Sequence, residues 1–229
     1  MKLSFPTPQA LLAEFLGTFV FVFVACGVVL TSQLFQDVGV VGAALAGGLT
    51  LMAMIYATSG ISGGQLNPAV TLAAWFSQRM NVVEAACYIA AQLLAGFVAA
   101  FALFAVFGAR SFEFYFGGPV LSVDTNLQAA LVLEAILTAV LVFAYFATVV
   151  DKRGPASFGP MVIGLIVVVS GIFAGPISGA VLNPAKAVGP LVTAGHYDSL
   201  LVWIVGPLVG SLIGFIYPFL FLPSKKKKS

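Results

Sequence analysis

Charge is what this sequence has least of. Of its 229 residues only 8% are Asp, Glu, Lys or Arg, ten basic against eight acidic, while 61% are hydrophobic. A soluble domain carries about 25% charged residues, so a water-exposed globule and a disordered chain are both excluded. Two cysteines, Cys26 and Cys87, each within an apolar stretch, make neither a disulfide scaffold nor a zinc site and read as small buried hydrophobes. The one histidine, His196, sits in a polar GHYD patch that reads as a solvated loop. A phosphate-binding glycine loop, a dinucleotide fingerprint and a nucleophile–base pair are all lacking, so no enzyme, no cofactor, no metal and no nucleic-acid partner is expected.

Long apolar runs are what it has in excess. A spanning helix needs about 20 mostly apolar residues, and six stretches qualify: 9–31, 38–58, 82–107, 126–149, 158–174 and 199–222. The opening MKLSFPTPQ is too short and proline-rich for a cleaved signal, so the first run is expected to stay in the membrane. With both termini cytoplasmic, Lys2, Arg79, Lys152, Arg153, Lys225, Lys226, Lys227 and Lys228 fall inside, eight of ten basic residues, and only Arg110 falls outside. That asymmetry predicts cytoplasmic termini.

Two further apolar stretches, SGGQLNPAVTLAAWF (62–76) and SGAVLNPAKAVGPLV (178–192), are too short to span. At an offset of 116 residues, 48–70 and 164–186 align without a gap, with nine of 23 pairs identical, among them Asn67/Asn183, Pro68/Pro184 and Ala69/Ala185. Upstream, Glu14 matches Glu134 and Thr18 matches Thr138 at an offset of 120. The chain reads as one domain, 1–229, built from two copies of one unit, approximately 9–110 and 126–222. Three spans per copy invert the second relative to the first, which places a solute path between the halves at mid-membrane.

Each short stretch is expected to be a loop that enters the bilayer and starts a half-helix. Pro68 and Pro184 suit the first helical position, where a missing N–H costs nothing, and Asn67 and Asn183 suit the cap before it. The glycine-rich lead-ins predict non-helical backbone, tolerated at membrane depth only inside protein or along a wet cavity. Two helix N-termini meeting there bring two partial positive charges, each about half a unit. The two Asn amides are expected to face the lumen and hold the oxygen of a passing molecule while the local potential opposes cations and hydronium.

SGGQLNPAVT (62–71), the second Asn-Pro-Ala motif, the paired glutamates and the six-span inverted repeat together resemble the aquaporin/aquaglyceroporin (major intrinsic protein) family. The resemblance implies an all-α membrane protein, a right-handed bundle of six transmembrane helices and two re-entrant half-helices. It further implies one pore per subunit, a homotetramer in the plasma or inner membrane, and passive conduction of water and small neutral solutes without protons or cations. Glu14 and Glu134 would buttress the re-entrant loops by accepting hydrogen bonds from their backbone N–H groups.

The same resemblance locates a selectivity filter at Gly47, Gly171, Ala180 and Lys186. Water-selective members usually place an aromatic at the first position and a His at the second, and glycerol channels place aromatics at the first and third. None of the four is aromatic here, and Lys186 replaces a nearly constant Arg. The filter is expected to be wide enough for glycerol and other polyols, urea or metalloid acids. An aromatic of the first helix, Phe19, Phe21 or Phe23, filling the space would instead give a strict water channel, and Lys186 in a wide filter leaves small monocarboxylic acids as a third reading. Gly171–Gly175 and Gly210–Gly214 spacings are expected to allow close helix contact, and the aromatic-rich 112–116 segment to lie at the membrane interface.

Overall fold

The structure, a computed structural model, describes residues 3–151 and 153–222. Lys2, Lys152 and Lys225, Lys226, Lys227 and Lys228, which carry most of the expected charge asymmetry, lie outside the described residues. Among the described residues every regular element is helical: α1 Pro8–Leu34, α2 Gly39–Ser62, α3 Pro68–Phe76, α4 Val82–Phe107, a single turn α5 Arg110–Glu113, α6 Leu127–Tyr145, α7 Gly159–Ser178, α8 Pro184–Thr193, α9 Leu200–Ser211 and α10 Ile213–Phe221. With short continuations, six of these runs are long and apolar enough to cross a membrane: Pro8–Leu34, Gly39–Ser62, Val82–Phe107, Leu127–Val150, Ala156–Ser178 and Leu200–Phe221. Outward faces carry Leu94, Phe101, Val169 and Phe173, each more than half exposed. Apolar side chains laid over the outside on this scale mark a surface that meets lipid or neighbouring subunits, and six spanning-length apolar helices make lipid the main solvent. The chain is a multi-pass membrane protein.

Local chemistry sets the helix starts. Thr7 accepts from the Ala10 N–H at 3.2 Å just before Pro8, and Asn81 with Glu84 forms a reciprocal capping box on α4. Where α6 ends, the Asp151 carboxylate takes the Arg153 guanidinium at 2.6 Å and the Tyr217 hydroxyl at 3.4 Å. Those donors, Arg153 foremost, hold its pKa down at about 2.

Small residues decide how closely the helices cross. A Cβ on Gly48 would lie 2.5 Å from the Gly164 carbonyl oxygen, and one on Gly164 would lie 2.6 Å from that of Gly48. The α2–α7 crossing is therefore backbone on backbone. Gly96 of α4 meets Ala185 and Gly189 of α8 in the same way, and Gly214 of α10 meets Ala73 of α3. The expected glycine spacings divide differently. Gly171 touches Ala44, but Gly175 has only Val40 at 3.9 Å; Gly210 abuts Ala135 of α6 while Gly214 serves α3. Phe116, expected at the interface, is instead fully buried, its ring set edge-on to that of Phe112 with centroids 4.8 Å apart. His196 is half-buried, stacked on Tyr115 at 3.9 Å, rather than free in a solvated loop.

A candidate pore and its outer cavity

Two non-helical loops, one before α3 and one before α8, are built from the same contacts. Helices α2 and α7 end on Gly63 and Gly179, at φ 91° and 88°, a left-handed cap that glycine adopts without strain. Leu66 and Leu182, immediately before the motif Asn residues, also stand at positive φ, 51° and 54°. For a branched side chain that conformation costs about 1–3 kcal/mol and persists only where the surroundings over-determine it.

Each strained leucine is held from both sides. The Leu66 N–H donates to the Glu14 carboxylate at 2.7 Å and the Leu182 N–H to that of Glu134 at 2.9 Å. The neighbouring Gln65 and Val181 N–H groups and the Ser62 and Ser178 hydroxyls donate to the same two carboxylates. Both glutamates are completely buried. On the other side, the Leu66 carbonyl accepts from the Asn183 amide, and the Leu182 carbonyl from the Asn67 amide, both at 2.9 Å. Each loop is thus clasped by the Asn of the other.

The two Asn residues also cap their own helices, Asn67 Oδ1 accepting from the Ala69 N–H at 2.8 Å and Asn183 Oδ1 from that of Ala185 at 3.0 Å. Both sit at extended φ, with Pro68 and Pro184 at the first helical positions and Ala69 and Ala185 wholly buried. An amide nitrogen carries two protons, so after the cross-loop bond each Asn keeps one.

Further partners went unread in the sequence. The Tyr88 hydroxyl donates to the Ser62 carbonyl at 3.0 Å, and the Trp203 indole N–H to the Ser178 carbonyl at 2.7 Å, each closing the start of a loop. Gln92 donates to Glu14 at 2.8 Å and to Thr71 at 2.9 Å, which ties α1 and α3 to α4. A shift of 116 carries Tyr88 to position 204 and Gln92 to Leu208, so the repeat register does not pair these residues.

On one side of the loops lies a cavity of about 400 Å³. Gly47 from α2, Gly171 from α7, Ala180 from the second loop and Lys186 from α8 all line it, and so does Phe21 from α1. The mouth carries Ser32, Gln33 and Asp37. Lys186 is the one cation among the described lining residues, and no carboxylate of the described residues comes within salt-bridge distance of it. Cys26, buried, approaches the Lys186 carbonyl at 3.9 Å, and Cys87 is partly buried; both are free thiols. Groups of three or more potential metal ligands are absent among the described residues.

The sequence matches the family model described as Major intrinsic protein over residues 2–217. It is 37% identical over 215 residues to Aquaporin NIP1-1 of Oryza sativa subsp. japonica, covering 93% of this chain and 74% of that one. It is 36% identical over 231 residues to Aquaporin Z of Photorhabdus laumondii, covering 93% and 97%. The fold superposes on the X-ray structure of the aquaglyceroporin from Plasmodium falciparum with a TM-score of 0.82 at 26% identity, covering 93% of this chain and 96% of that one.

Proposed function

The chain belongs to the major intrinsic protein family of passive water and small-solute channels, not to an enzyme family, and on that premise we propose that it conducts water together with small uncharged solutes such as glycerol, urea or metalloid acids. The observation that carries this reading is the outer cavity wall, where Gly47, Gly171 and Ala180 offer at most a methyl group beside Lys186. Pore width and lining donors set selectivity in such channels.

Lys186 and the N-termini of α3 and α8 supply positive potential along the path, which opposes protons and other cations. Lysine presents a flexible point charge where arginine would present a rigid planar fork, so solutes are oriented more loosely. Asn67 and Asn183 offer one amide proton each to a passing oxygen, and Glu14 and Glu134 keep the loop carbonyls in place. The working unit is a single domain of two inverted copies, assembled as a homotetramer in the plasma or inner membrane with both termini in the cytoplasm. Strict water selectivity is the second reading, favoured by Phe21 on the same wall.

Stopped-flow light scattering on proteoliposomes separates the two. Fast shrinkage in an impermeant osmolyte followed by fast re-swelling in glycerol, urea or boric acid is expected. Shrinkage without re-swelling leaves the strict water channel.

A further inference from the structure

At the level of Gly47, Gly171 and Ala180 the cavity wall is backbone and methyl groups beside the Lys186 side chain, and the wall continues inward. On α1 the lining residues are Phe21, Ala25, Val29, Ser32 and Gln33, one face of the helix by their spacing of three and four. They extend about 18 Å along its axis. The inward end is the one nearer the loops, because α1 leads back from Gln33 to Glu14, which holds the Leu66 N–H beside Asn67. Ala25 stands level with the filter positions: a Cβ on Gly47 would lie 3.6 Å from its own. Phe21 is one turn, about 6 Å, deeper. On α7 the lining likewise reaches one turn past Gly171, to Val167.

Phe21 on α1 and Val167 on α7 are the lining residues nearest the loops on those two helices, and neither Asn67 nor Asn183 lines the cavity. Phe21 is only 2% exposed, so the cavity meets no more than an edge of its ring. The other two candidate aromatics point elsewhere: Phe19 and Phe23 stack on each other at 5.8 Å and neither lines the cavity. We infer that Phe21 is the size-determining residue of this channel, steric selection having moved from the four filter positions one helical turn inward. The inference rests on the channel reading above and names the residue that sets its limit.

The test is the ratio of glycerol to water permeability in proteoliposomes of wild type, F21A, F21L, F21W and V22A. Val22 is the next residue, fully buried and off the cavity. F21A is expected to raise the ratio by about tenfold or more, the lower end of what one methylene decides in an apolar pocket. F21L raises it less, F21W lowers it, and V22A leaves it where the wild type has it. Should F21A reconstitute poorly, F21L and F21W carry the same ordering. Indifference of the ratio to residue 21, or a V22A effect equal to that of F21A, overturns the inference. Glycerol flux in the wild type with a ratio deaf to residue 21 leaves the wide-channel reading standing alone. Water-only flux in the wild type with glycerol flux in F21A supports Phe21 and removes the wide-channel reading. Water-only flux in every variant removes both.

Discussion

Replacing Glu134 by alanine removes one acceptor from three donors at once. The Ser178 hydroxyl lies at 2.7 Å, the Val181 N–H at 3.0 Å and the Leu182 N–H at 2.9 Å from its carboxylate, all buried. The hydroxyl can rotate toward another acceptor; the two backbone N–H groups cannot. Leaving a buried donor unmatched costs about 1–3 kcal/mol, so the pair costs about 2–6 kcal/mol. In a chain of this length each kcal/mol moves Tm by about 2–4 °C, which sets a fall of at least about 4 °C. Glu134→Gln keeps one accepting oxygen and should lose roughly half as much. Trp203 is a built-in probe, because its fully buried indole donates to the Ser178 carbonyl at the same loop. Its fluorescence during heating in detergent, read in a Trp75→Phe background, reports the transition, and stopped-flow water permeability reports whether the loop still holds Leu182 and Asn183. A Glu134→Ala protein with wild-type Tm and wild-type permeability would refute the claim that this carboxylate supports the loop.

Three further outcomes are expected. Lys186→Gln removes the one cation on the described cavity wall and should admit protons, read as faster decay of a pH gradient in dye-loaded proteoliposomes, whereas Lys186→Arg keeps the barrier. Gly48→Ala sets a methyl group 2.5 Å from the Gly164 carbonyl oxygen and should destabilise by about 1–3 kcal/mol, read as a lower Tm. Asp151 has its carboxyl held down at about 2 by Arg153, so its contribution is present above the ordinary carboxylate range and is lost as pH falls through about 2. The exposed guanidinium screens the pair, so the effect is small. Tm measured from pH 7 to pH 2 should fall less steeply at the acid end in Asp151→Asn than in the wild type.

Motif and repeat carry much of this architecture. Asn-Pro marks a cap followed by a first helical residue whatever surrounds it, so the starts of α3 and α8 were legible from two residues each. The offset of 116 brought Gly48 and Gly164 into one alignment column, and in the fold they touch. Other contacts obey geometry that no register records. Tyr88 and Trp203 do equivalent work one residue out of step, and Gln92 has only Leu208 at its matching position. Of the four phenylalanines on α1, spacing puts Phe15, Phe19 and Phe23 on one face and Phe21 on another. Glu14 and Thr18, seven and three residues before Phe21 on the same helix face, mark that face as the inward one, a signal the sequence does carry.

The exchange of bonds between the loops has a consequence for how such a chain comes together. Asn67 grips the carbonyl before Asn183, and Asn183 grips the carbonyl before Asn67. This reciprocity, residue i to j and j to i, is how two copies of a single subunit meet across a two-fold axis. One chain therefore carries the handshake of a dimer. Neither half finishes its own loop during synthesis: the first must wait, its strained leucine lacking one clasp, until the second has been threaded into place. Damage to one Asn loosens both ends of the handshake, so losses from the two single substitutions should overlap rather than add.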